Sequence, residues 1–327
     1  MDLASIKPGL LTTRSAMHEL FGGGSQGGII IPKNSPNILI YTDHDSGKKY
    51  GYEDGWLEEE DELGPVFEYT GQGTRGDQTF LGQRGSRNAA VLYHADAGKS
   101  LRVFMAAGKV SDSRSSAKQQ RYVGEFQLDT KVPYTVREAL DEEHRPRLII
   151  VFRLRPMGEF ERLSQDVITR ADTTASQRVS ADVVTTTLVE PKRKRATESR
   201  RAAQPSLIAE LRQAAIREQY LAELMAQGHD VAAFQIKISG TTSTLKTDLY
   251  DATAHELYAI RGASTREEIR MAVGQLKDFA RHIKPAAPKL TALLPDKPQD
   301  DLIRFLHTEG IDLVYGDAQG YTRCAAR

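Results

Sequence analysis

Apolar residues in the first half of the chain fall in short runs, alternating or continuous, each closed by glycine or another turn residue. The runs are NILIYTD at 37–43, KKYGYED at 48–54, VFEYTGQG at 66–73, SLRVFMAA at 100–107, RYVGEFQL at 121–128 and RLIIVFRL at 147–154. Short strands at this spacing, with no helical period between them, predict a small barrel or a strongly bent sheet rather than βαβ units. Ahead of them, TTRSAMHELF at 12–21 opens on a threonine cap and predicts a helix, and GGGSQGG at 22–28 predicts a flexible finger. The finger is no phosphate-binding loop, because no strand precedes it and no Gly-Lys-Ser or Gly-Lys-Thr closes it.

The second half changes period. LIAELRQAAIREQYLAELMAQG at 207–228, TREEIRMAVGQLKDFARH at 265–282 and DDLIRFLHTEG at 300–310 carry helical spacing. Between them VAAFQIKIS, TDLYDAT, HELYAIRG, KLTALLP and IDLVYGD read as strands, which predicts an α/β domain. The stretch between the halves is rich in Thr, Ser, Ala and charge, with weak periodicity. The expected division is therefore a β-rich domain at 1–157, a flexible basic linker at 158–205 and an α/β domain at 206–327, an α+β chain as a whole.

Composition narrows the chemistry. Lysine plus arginine and aspartate plus glutamate both total 44 in 327 residues, so no net basic field draws in nucleic acid and any such binding needs local patches. The candidates are Arg84 with Arg87, the stretch Arg114 to Arg121, and KRKRATESRR at 192–201. One cysteine, Cys324, excludes an internal disulfide and a cysteine-rich zinc site. No apolar run reaches the ~20 residues of a membrane helix, and no signal-peptide plan opens the chain, so a cytoplasmic protein with no membrane partner is expected. The histidines are scattered without a catalytic pattern.

As a strand, residues 50–56 would place Tyr50, Tyr52, Asp54 and Trp56 on one face. Such a face can stack a flat ring and hydrogen-bond its edge, although aromatic filling of a sheet core explains the same pattern. The ordered motifs TTR…GGGSQGGI, YGYEDGW, FEYTGQGTRGDQTF, GQRGSRNA and RYVGEFQL together resemble the SRA-like head domain, of the PUA superfamily, found on bacterial HNH endonucleases of modification-dependent restriction. The resemblance covers about residues 10–130. It implies a reader of duplex DNA containing 5-methylcytosine or 5-hydroxymethylcytosine, which flips the base into an aromatic pocket with little sequence specificity. On that analogy Tyr50, Tyr52, Trp56 and Tyr69 supply faces, and Asp54 or Asp77 accepts from the exocyclic amine. Ser25 or Gln26 fills the vacated stack, and Arg14, Arg84 and Arg87 contact phosphates. The chain departs from the family with GSRNA in place of GNRA, and with the acidic insertion LEEEDELG at 57–64, expected to face solvent away from DNA.

The back half resembles the PD-(D/E)xK nuclease fold. Asp248 falls on its first acidic position and Gln275 on its helix motif, but Ala259 and Arg261 stand where the glutamate and lysine belong. Alanine cannot ligate Mg²⁺, and arginine cannot take over a proton-shuttling lysine. The expectation leans toward no enzymatic activity and no cofactor, with Mg²⁺ needed only if a displaced acid, Glu267 or Glu268 of the helix or Glu256 through a bulge, completes the site. An active endonuclease and an RNA-binding module stay open as alternatives, as does a homodimer through the C-terminal domain.

Overall fold

The computed structural model describes residues 6–24, 26–109, 118–180, 205–318 and 320–326. The chain divides into two compact units, one of residues 1–170 with Thr241–Ser243, the other of 171–240 with 244–327. Among the described residues no helix is long and apolar enough to cross a membrane.

The first unit contains β1 (Leu11–Thr12), α1 (Arg14–Phe21), β2 (Ile29–Ile30), β3 (Asn37–Thr42), α2 (His44–Lys48), β4 (Gly55–Trp56), β5 (Phe67–Thr70), α3 (Gly82–Leu92), β6 (Ser100–Lys109), β7 (Lys118–Leu128), β8 (Tyr134–Leu140) and β9 (Pro146–Phe160). Its sheet runs β2-β3-β6-β7-β9-β5-β4, with β1 added to β7 and β8 to β9. Only β3 and β6 pair in parallel, and α3 lies in the long connection between the β3 and β6 segments. The continuous run NILIYT is buried along its whole length, as a central strand covered on both faces requires. Thr13 caps α1, its hydroxyl accepting from the Ala16 amide, which is the predicted helix start.

One expectation for this unit changes. KKYGYED is not a strand: Asp43 caps the short helix α2, a turn follows, and regular pairing resumes only at Gly55. The capping carboxylate and Gly47 favour a turn over an extended run, so Tyr50, Tyr52, Asp54 and Trp56 do not share one pleated face. The acidic insertion, in turn, is tied down by cations of its own unit: Arg170 pairs with Glu58, Arg162 with Glu60, Arg155 with Asp61 and Lys131 with Glu62. Beneath it Arg137 grips Glu68 through two hydrogen bonds of 2.7 and 2.6 Å, linking β8 to β5. A buried pair of this kind fixes register more than it stabilises.

The second unit contains β10 (Ala175–Ser180), α4 (Pro205–Ala226), β11 (Val231–Lys237), β12 (Thr244–Lys246), β13 (Leu249–Asp251), β14 (Glu256–Ile260), α5 (Arg266–Ala280), β15 (Lys289–Leu294), α6 (Asp300–Thr308), β16 (Ile311–Asp317) and β17 (Gly320–Cys324). The sheet order is β10-β11-β13-β14-β15-β16-β17, with β12 on β11. Strands β14, β15 and β16 are parallel, joined by α5 and α6 as parallel neighbours demand. Leu257 and Ala259 pack toward Ile269, Leu276 and Leu306 of α5 and α6, whereas Tyr258 and Ile260 pack toward Tyr220 and Leu224 of α4. The expected linker is shorter than 158–205: β9 continues to Phe160, a 3-10 turn spans Ser164–Asp166, and β10 pairs with β11. The basic run at 192–201 and Arg114 lie outside the described residues.

Candidate nucleic-acid interface

Three of the residues singled out by sequence converge. Asp54, which immediately precedes β4, is 6% exposed and joins two strands. It accepts from the Thr42 hydroxyl of β3 at 2.6 Å and from the Thr70 amide of β5 at 2.7 Å. Burial pushes its carboxyl above the usual carboxylate range, against the pull of those bonds. Tyr69 of β5 is buried beside it, and its hydroxyl is pushed well up, first by burial and then by the Asp54 and Tyr52 charges. Tyr52 is half-buried, and its hydroxyl donates to the Gly73 carbonyl at 2.5 Å. Arg147 stands over the Tyr52 ring, 5.4 Å from its centroid.

The loop after β5 is held by two buried amides. Gln78 donates to the Gly71 carbonyl at 2.6 Å and to Gly73 at 3.0 Å, reaches the Tyr52 hydroxyl at 3.2 Å, and accepts from the Ile150 amide at 2.8 Å. Asn88 of α3 accepts from the Gln72 amide at 2.7 Å and donates to the carbonyls of Gln72 and Thr79 at 3.0 and 3.1 Å. Sequence reasoning missed both, along with Thr42, Thr70 and Arg147. For Thr70, Gln78 and Asn88 the signal lay in TGQGTRGDQ and in the Asn of GSRNA, polar residues beside a strand and on a helix face.

Above Tyr69 runs the end of the glycine-rich segment. A β-carbon at Gly28 would stand 2.6 Å from the Tyr69 hydroxyl, so only glycine fits there. Arg14 donates to the Gly27 carbonyl at 2.7 Å and lies 4.3 Å over the Tyr41 ring. Arg87 is held by the Gln72 side chain at 3.2 Å and flanks Gly27 from the other side. Gln26 is exposed, and Ser25 lies outside the described residues. Arg84 is exposed on α3, donating to the Arg75 carbonyl at 3.0 Å.

Three other candidates stand outside the Tyr52, Asp54 and Tyr69 cluster. Trp56 is fully buried in the core against Phe67, Phe126 and Phe160, with centroids 5.2–5.7 Å away. It therefore serves the core, because β4 turns it inward under β9. Tyr50 follows α2, keeps its ring 5.8 Å from that of Tyr52, and also lines a cleft of about 190 Å³ that includes Thr74, Arg75, Asp141 and Arg145. Asp77 accepts from the Leu148 amide at 2.8 Å and so pins the loop to β9.

In the second unit Asp248, Arg261 and Gln275 do meet. Arg261 donates to the Gln275 side chain, lies 3.8 Å from Asp248 and 3.6 Å from Glu268. Asp248 accepts from the Ile260 amide at 2.9 Å, and burial raises its carboxyl while Arg261 draws it back. Ala259 faces the apolar core. This arrangement does not fit a divalent ion, since a guanidinium stands between the two carboxylates. Among the described residues no group of three or more His, Cys, Asp or Glu could hold a metal.

No curated protein matches the chain. Similar solved structures include the phosphorothioation-dependent restriction endonuclease ScoMcrA, at 22% identity and a TM-score of 0.34 over 48% of this chain and 29% of that one. KRYPTONITE in complex with mCHH DNA matches at 16% identity and 0.34, over 50% and 34% of the two chains. The SUVH5 SRA complex with hemi-methylated CG DNA matches at 18% and 0.29, over 49% and 94%. The chain thus spans under a third of ScoMcrA. The sequence profile described as "ScoMcrA-like, SRA domain" covers residues 9–174, just over half of the 327, and takes in the Asp54–Tyr69 cluster and the loops that hold it. On that match the chain belongs to the ScoMcrA-like SRA domain family.

Proposed function

We propose that the first unit binds duplex DNA carrying a modified cytosine and takes the base out of the stack into the site bounded by Tyr52, Asp54 and Tyr69. The observation that carries this reading is the convergence of those three residues, with Tyr69 against Gly28 and two arginines beside Gly27. Aromatic rings supply stacking surface, worth about 1–3 kcal/mol per base. Each Asp54 oxygen keeps a lone pair beyond the one its protein donor uses, and can accept from a cytosine amine. Family membership supports the same reading, and relatives of this kind have been captured with phosphorothioated and with hemi-methylated DNA. Exposed Arg84 and Gln26 are the groups we assign to the phosphate backbone and to the vacated stack.

A buried 5-methyl carbon contributes about 0.8 kcal/mol, so preference for methylated over plain cytosine should be roughly fourfold before any further contact. The test is titration of the full chain with duplexes containing cytosine, 5-methylcytosine or 5-hydroxymethylcytosine, and with matching RNA. Tighter binding to a modified duplex, with the preference reduced in Tyr52→Ala, is the expected result. Equal affinity for all three duplexes sinks the reading, and preference for RNA replaces it with the RNA-binding alternative.

A further inference from the structure

The two arginines beside Gly27 do more than supply positive charge. Arg14 belongs to α1 and Arg87 to α3, yet both reach the same peptide. Arg14 donates to the Gly27 carbonyl while its guanidinium carbon lies over the ring of Tyr41. The Tyr41 amide in turn donates to the Gly28 carbonyl at 2.7 Å. Arg87 stands so close that a β-carbon on Gly27 would come within 2.6 Å of its Nη1, and Gln72, itself held by Asn88, fixes the guanidinium there. Gly27 has a φ of +101°, a conformation glycine adopts without strain. The peptide, exposed at Gly27 and half-buried at Gly28, is thus contacted by Arg14, Arg87, Tyr41 and the Tyr69 hydroxyl.

We infer that Arg14 and Arg87 are positioning residues, which clamp the Gly27–Gly28 backbone over Tyr69 and thereby set the opening through which a modified base enters. The inference rests on the DNA-reading function proposed above. It differs from the sequence-based expectation that both arginines contact phosphates. A phosphate contact needs a charge at the right place. The clamp needs a planar group that stacks and donates in one plane, which lysine does not offer.

The experiment uses the full chain with Arg14→Lys, Arg14→Gln and Arg87→Lys, and three readouts. These are hydrogen exchange of the Gln26–Ile30 segment and the Tyr41 amide without DNA, the affinity ratio for methylated over plain duplex, and the slope of log affinity against log salt. The clamp predicts exchange at least tenfold faster at the Tyr41 amide in Arg14→Lys and a ratio falling toward one. It also predicts an unchanged salt slope and an unchanged melting temperature. Unchanged exchange in Arg14→Lys overturns the inference. So does an Arg14→Gln variant that binds both duplexes more weakly by the same factor and loses about one unit of salt slope, the mark of a phosphate contact. A wild type that does not discriminate between duplexes removes the DNA reading, and the exchange measurement then decides the clamp alone.

Discussion

Asp54 is the residue on which the first unit's polar chemistry turns. Its carboxyl is buried, and that burial pushes it upward from 3.8. Between 3.8 and the raised folded value, the native state keeps a proton that the unfolded chain has released. Stability therefore falls as pH rises through that window, and the loss persists above it. An asparagine keeps acceptor and donor capacity toward the Thr70 amide and the Thr42 hydroxyl without the charge. Asp54→Asn should accordingly melt near the wild type below pH ~4 and above it at pH ~7. Thermal melts across this range check the sign, and a gap that does not grow with pH refutes it. The neighbouring aromatics show what alternation alone leaves open. Tyr52 and Trp56 are four positions apart in one motif, yet one borders the candidate site and the other fills the core.

At the scale of elements, the loop after β5 owes its shape to α3. Asn88 projects from that helix into the loop and makes three hydrogen bonds to its backbone, while remaining fully buried. Leaving a buried backbone group without its partner costs about 1–3 kcal/mol. Asn88→Ala should destabilise the first unit by roughly 2–3 kcal/mol and weaken Arg87's hold through Gln72. Urea unfolding followed at the aromatic signals measures this, and a change under ~0.5 kcal/mol contradicts it. Helix α3 was not legible from GQRGSRNAAVL. Its start lacks a side-chain cap and carries two glycines, a serine and an asparagine, so propensity argues for a loop and tertiary packing overrules it. Strands β8, β10 and β17 also escaped the pattern. Each lies at an edge or branch of its sheet, where few of its side chains are buried and few positions need to be apolar.

Taken as one molecule, the chain joins an SRA-family unit to an α/β unit whose carboxylate cluster is closed by its own cation. Arg261 stands between Asp248 and Glu268, so Mg²⁺ or Mn²⁺ would have to displace a guanidinium already bonded to Gln275. The full chain should leave methylated duplex DNA intact in the presence of either metal. Cleavage by the purified protein, lost in Asp248→Ala, would overturn this and show that a displaced acid completes a metal site.

The sequence by itself determined the β-rich front, the α/β back, the capped first helix and the family to which the front belongs. Those depend on periodicity, on local capping and on the order of motifs along the chain, all of which survive without coordinates. It also marked Tyr52, Asp54, Tyr69, Arg14 and Arg87 as residues of interest. Only the tertiary structure decided which of them meet. Trp56 turns into the core, Tyr50 packs against the outer side of the cluster through Tyr52, and Asp77 pins a loop to β9. Arg14 and Arg87 arrive from different helices at one glycine peptide. The reason is physical: a short motif sets the spacing of side chains along its own backbone, whereas their direction depends on strands and helices that pair with it from up to about a hundred residues away, such as Arg147 beside Tyr50.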